Sequence, residues 1–160
     1  MIGSTMSYRI PDEPVASGLS TVAVQPFWPL LAVMFGGSWL SWPWFAVNAF
    51  ATGSPTRGRE LGLVIGGFAG SAAISVGLIA AIQRGALSES AVPYAVIVLT
   101  VWKLVVSYVL YGLQSRSFHL FEHFGGTVRN GFALAMVGGF VLRQPILKAF
   151  ASDLWFLVMS

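Results

Sequence analysis

The chain is organised as long uncharged apolar runs separated by short polar punctuation. No charged residue lies between Glu13 and Arg57, and the apolar part of that stretch covers residues 26–50. At ~1.5 Å per helical residue, this run is long enough to cross a hydrocarbon layer ~30 Å thick. Pro29 suits a first helical turn, Pro43 is expected to kink the interior, and Gly53, Ser54 and Pro55 close the run. A second run, residues 61–82, holds 22 residues without a charge between Glu60 and Arg84. A polar connection over 83–90 leads to a third, about 91–113, which is rich in β-branched residues but too long for a strand.

The fourth run is shorter. Residues 131–142 are 12 uncharged positions between Arg129 and Arg143. Fourteen helical steps separate those arginines by roughly 21 Å, and snorkelling by roughly 5 Å at each end lets the pair bracket a slightly thinned core. Beyond Pro145, a stripe of Ile146, Phe150, Leu154 and Leu157 with Lys148 and Asp153 off it predicts an interfacial or docked helix over 146–159. The expected fold is therefore all-α: an integral membrane bundle of about four transmembrane helices (spans near 26–50, 61–82, 91–113 and 128–143) plus interfacial helical segments. Residues 26–160 form one domain behind a polar tail, 1–25. That tail lacks the apolar core and small-residue cleavage site of a removable signal peptide.

Composition agrees with the pattern. The 160 residues are 56% hydrophobic and 9% charged, against ~25% charged in a soluble domain. With no cysteine, disulfides, thiolate metal sites and thiol nucleophiles are excluded. Nine basic residues give a net charge of +3 but form no run, so nucleic acid is not an expected partner and anionic lipid headgroups are. With four spans, Arg57, Arg59, Arg116 and Arg129 face one side and Arg9, Arg84, Arg143 and Lys148 the other. Four against four sets no orientation.

Three features carry candidate chemistry. Gly62, Gly66 and Gly70 recur at every fourth position, followed by Ser71 and Ser75, and Gly131, Ala135 and Gly139 repeat the spacing. Small residues so placed let helix backbones approach closely, either inside one bundle or at a seam with a second copy or another subunit. Lys103 sits at the middle of the third span, where a lysine costs at least ~2.5 kcal/mol. Thr100, Lys103, Ser107, Tyr111 and Gln114 make one polar face, and Asn48, the serines and backbone carbonyls are the available partners within the spans. That lysine is read three ways: hydrogen-bonded inside the bundle, paired with an acidic group or anionic lipid from outside the chain, or lining a transport path.

The third feature is His119, Glu122 and His123 in an H-x-x-E-H string. The spacing matches an inverted zinc-protease motif, in which two histidines bind metal and the glutamate activates water. It equally describes an amphipathic interfacial helix, with Phe118, Phe121 and Phe124 toward acyl chains and the polar trio toward headgroups. The distal acid that a zinc site needs is restricted to Asp153, the one acid downstream.

Gly36-Gly37-Ser38, the stretch Asn48-Ala49-Phe50-Ala51-Thr52-Gly53, Gln114, and His123-Phe124-Gly125-Gly126 resemble motifs of small uncharacterised bacterial membrane proteins. The resemblance implies four spans and a bacterial inner membrane, and it supplies no activity or cofactor. Serine follows the glycine pair here where proline is usual in that group. The expectation for function is a non-enzymatic accessory or assembly subunit that needs no cofactor and packs against lipids and other membrane-protein subunits or a second copy. The alternatives are a small oligomeric transporter or channel lined by Lys103 and, more remotely, a membrane metalloprotease.

Overall fold

The computed structural model describes residues 18–149 and 152–160; most of the tail and Phe150 of the C-terminal stripe lie outside the described residues. Within them the fold is all-helical: α1 (Phe27–Phe35), α2 (Ser38–Ala51), α3 (Arg57–Gln83), α4 (Val92–His123), α5 (Phe132–Met136), α6 (Arg143–Lys148) and α7 (Asp153–Met159). A π-helical segment, Val137–Leu142, joins α5 to α6.

Helices α3 and α4 run uninterrupted for 27 and 32 residues and pack along each other. Both are long and apolar enough to cross a membrane, reaching a mean hydropathy of 2.0 over 18 residues in each. The core helix of a water-soluble protein would be mostly covered by its neighbours. Here only 22% and 28% of the apolar windows are buried, and Ile65, Val76, Ile97, Val98 and Val105 are each more than half exposed. Those side chains need lipid or a partner to cover them.

The first apolar run is two helices rather than one. It breaks at Gly36-Gly37, while α2 continues through Pro43, where the kink was expected. The reason lies at Gly37: it has φ +98°, which L side chains rarely adopt, and a Cβ there would strike the backbone of Met159 and Ser160 at the end of α7. The Ser41 hydroxyl then donates to the Pro29 carbonyl at 2.8 Å and ties the two helices together. Substituting Gly37→Ala should destabilise the protein by about 1–3 kcal/mol, because strain and collision add. Gly77→Ala, on an exposed α3 turn where a Cβ meets nothing, should be neutral or slightly stabilising. Melting curves of both in one detergent make the comparison; equal midpoints would remove the stated reason for the break.

Three other boundaries move. Helix α4 continues past residue 113 to His123, because nothing between Leu113 and Phe118 breaks a helix; it ends where Gly125 adopts φ +82°. The fourth run becomes helical at Phe132 rather than 128, its start marked by the Phe132 N–H donating to the Asn130 side chain at 2.8 Å. Just before it, Arg129 N–H donates to the Ala23 carbonyl at 2.9 Å. Since Ala23 and Val24 are buried, the packed body begins before residue 26. The C-terminal segment is split between α6 and α7, and α7 docks on α3.

Among the described residues the interior has three apolar clusters. Trp42, Phe45, Val64, Val106 and Leu110 join α2, α3 and α4. Val24, Ala32, Leu40, Trp44 and Ala135 join α1, α2 and α5. Ala23, Ala51 and Phe121 close the end of α4. Between the first and third clusters lies the polar part of the core.

Candidate functional site

Helices α2, α3 and α4 bring polar side chains to one buried seam. Asn48, near the end of α2, accepts from the Val24 N–H at 2.9 Å and donates to Gln114 Oε1 at 3.0 Å. Gln114 Nε2 donates onward to the Phe45 carbonyl at 2.6 Å and to Glu60 Oε2 at 2.7 Å. The other Glu60 oxygen accepts from the hydroxyls of Ser54, at 2.5 Å, and Thr56, at 2.7 Å. Ser54 in turn meets Ser117 of α4 at 3.0 Å.

Glu60 is completely buried, as are Asn48 and Gln114 to within 1%. A carboxylate withdrawn from water is costly unless its lone pairs are used, and here three donors use them. Glu60 also lies in the first turn of α3, where the helix N-terminus favours negative charge. No polar side-chain atom of this network is left buried without a hydrogen-bond partner. Chemically it is a closed lock that joins three helices at one end of the molecule.

Lys103 lies elsewhere on α4. Its Nζ donates to the carbonyls of Leu157, at 2.6 Å, and Ser160, at 2.8 Å, at the C-terminal end of α7. Ser38 donates to the neighbouring Val158 carbonyl at 2.5 Å. Carbonyls at a helix C-terminus lack intrahelical donors and carry partial negative charge, so an ammonium and a hydroxyl are suitable caps. This links the polar face of α4 to the last helix. Asn48, a sequence-level candidate to meet Lys103, serves Gln114 instead.

The remaining candidates separate by burial. Ser107 is buried and accepts from Trp42 Nε1 at 2.9 Å. Thr100 is exposed and bonds back to the Val96 carbonyl at 3.0 Å. Tyr111 is half-buried, its ring 6.0 Å from that of Tyr108. Gly131, Ala135 and Gly139 are all buried; a Cβ on Gly131 would meet Trp28, and one on Gly139 would meet Phe35, so this small face seats α1.

The α3 stripe behaves differently. A Cβ on Gly62 or Gly66 would meet nothing within 4 Å, whereas Gly70 lies directly under the Trp102 ring. The small residues that α3 buries are Gly67, Ser71 and Ser75, on the adjoining face. The groove beside Gly62 and Gly66 holds about 470 Å³ and also borders Arg59 and Leu113.

His119, Glu122 and His123 occupy exposed positions in the last two turns of α4. They belong to the long helix rather than to a separate interfacial one, and Phe118 and Phe121 point into the protein, leaving Phe124 as the exposed ring. Among the described residues no cluster of three or more His, Asp or Glu is placed to hold a metal.

Sequence reasoning missed Glu60, Ser54, Thr56 and Ser117. Two hydroxyls at six and four positions before an acid in a first helical turn were the available signal. Comparison with known proteins found no matching family, no matching curated protein and no matching solved structure.

Proposed function

We propose that the chain is a non-enzymatic multi-pass protein of a bacterial inner membrane that acts as an accessory or assembly subunit. In this reading α3 and α4 are two of four spans, with α1–α2 and the helical run from α5 to α6 as the others. The observation that carries it is the open small-residue face of α3. A Cβ on Gly62 or Gly66 would meet nothing within 4 Å among the described residues, and the two glycines line a groove of about 470 Å³ where a second helix backbone could approach. Close backbone approach is the main gain available to helices that already sit in lipid.

The absence of cysteine from the sequence makes the test clean. Gly62→Cys and Gly66→Cys should each crosslink in native membranes to a second copy or another membrane subunit, while Val141→Cys, on an outward surface, should not. Replacing both glycines by isoleucine should weaken the association about tenfold or more without shifting the melting temperature of the isolated chain. A monodisperse monomer in mild detergent, with no crosslink from either position, would sink the proposal. A conducting path along Lys103 has less support, because that side chain is 5% exposed and already holds two carbonyls.

A further inference from the structure

Lys103 lines a second pocket, of about 410 Å³, together with Arg143. Its walls are otherwise mostly apolar, and no acidic side chain borders it. Its two charged side chains are both cationic. An ammonium has three donors, and Lys103 directs two hydrogen bonds to main-chain oxygens, of Leu157 and Ser160. Arg143 Nε is buried with no hydrogen-bond partner among the described residues. A buried donor without a partner calls for an acceptor from outside the chain or for another explanation, and this one belongs to a cation that lines a pocket.

The rim adds the second half of the specification. Met34 and Phe156 are more than half exposed at the pocket and Leu104 more than a third, so an occupant must present apolar surface as well as negative charge. A soluble anion would leave that rim uncovered. An amphiphile covers both, and a phosphate suits the planar guanidinium fork better than a single-point anion does.

We propose that this pocket binds an anionic phospholipid, with its phosphate at Lys103 and Arg143 and an acyl chain along Leu104, Phe156 and Met34. Basic pockets between membrane helices are recurrent sites for such headgroups. The inference rests on the membrane setting of α3 and α4, and not on assembly with another subunit. A monomer that keeps its lipid preference would leave it standing even if the Gly62 face proved unpartnered.

Native mass spectrometry of the full chain, released from mixed micelles of phosphatidylglycerol and phosphatidylcholine with matched acyl chains, tests it. The parent should retain phosphatidylglycerol preferentially. Arg143→Gln should lower that preference about fivefold while leaving the melting temperature in phosphatidylcholine unchanged, since its Nε has no protein partner to lose. Lys103→Met also uncaps α7, so Arg143→Gln is the deciding variant. Arg129→Gln, at an exposed position outside this pocket, should keep the preference.

A parent without preference, an Arg143→Gln variant equal to the parent, or an Arg129→Gln variant reduced as far as Arg143→Gln would each overturn the proposal. So would displacement of the lipid by glycerol 3-phosphate at equal concentration, which would show a site that reads free phosphate. Equal retention of oleate would overturn the phospholipid in favour of a carboxylate amphiphile.

Discussion

Replacing Glu60 by leucine should cost about 3–5 kcal/mol, the largest loss expected from any single change in the polar core. The carboxylate accepts from Ser54, Thr56 and Gln114 while fully buried. Leucine removes every acceptor and leaves donors facing hydrocarbon, and an orphaned buried donor costs more than an average hydrogen bond contributes. Glu60→Gln should cost less, about 1–2 kcal/mol, because one amide oxygen still accepts and the hydroxyls of Ser54 or Thr56 can turn to accept from its nitrogen. A double-mutant cycle with Gln114→Leu should show coupling, since the two side chains share one bond. Unfolding in a single detergent measures all of these. A Glu60→Leu protein that melts with the parent would mean that the seam is not a structural lock.

The second large effect is expected at Trp42, in the apolar half of the same helix junction. Trp42 is fully buried, packs edge-on against Phe68 with ring centroids 4.6 Å apart, and donates to Ser107. Trp42→Ala should cost about 3–5 kcal/mol, because the vacated volume is enclosed by α2, α3 and α4 and only partly collapses. Trp42→Phe keeps most of the packing and forfeits the bond to Ser107, so about 1 kcal/mol is expected. Ser107→Ala should cost a similar amount, and the two losses should not add. Alanine and phenylalanine variants of equal stability would place the energy of this junction outside the ring's volume.

Much of this arrangement was legible from spacing alone. Of the polar face read on α4, Lys103, Ser107 and Gln114 are buried, whereas Tyr111 is half-buried and Thr100 exposed. The small residues at 131, 135 and 139 likewise meet α1. What spacing cannot choose is which of two adjoining small faces a neighbour covers. On α3 the positions 62, 66 and 70 and the positions 67, 71 and 75 are offset by one residue, about 100° around the helix, and the chain covers the second set and, of the first, Gly70 alone.

Glu60 was hidden for a different reason. A charged residue at the edge of an apolar run reads as a solvent-facing flank, and only the folding of Ser54 and Thr56 back over it, with Gln114 arriving from α4, encloses it. The break at Gly36-Gly37 was equally non-local, because the backbone that excludes a side chain at Gly37 comes from α7, more than a hundred residues away. Two glycines in an apolar run suit a helix interface as well as a helix end, and the distant partner decides between them.

The π-helical segment Val137–Leu142 makes chain length forgiving at one place. A π turn holds one residue more than the α ladder it interrupts. Deleting a single residue there would let the helix close with ordinary spacing, and about five α residues turn as far as six π residues do. Arg143 would keep the wall it shares with Lys103, and α7 the lysine and serine that hold its carbonyls. A one-residue deletion in α5, which has no spare residue, would instead rotate everything beyond it by about 100°. Single deletions should therefore be tolerated between residues 137 and 142 and selected against in α5.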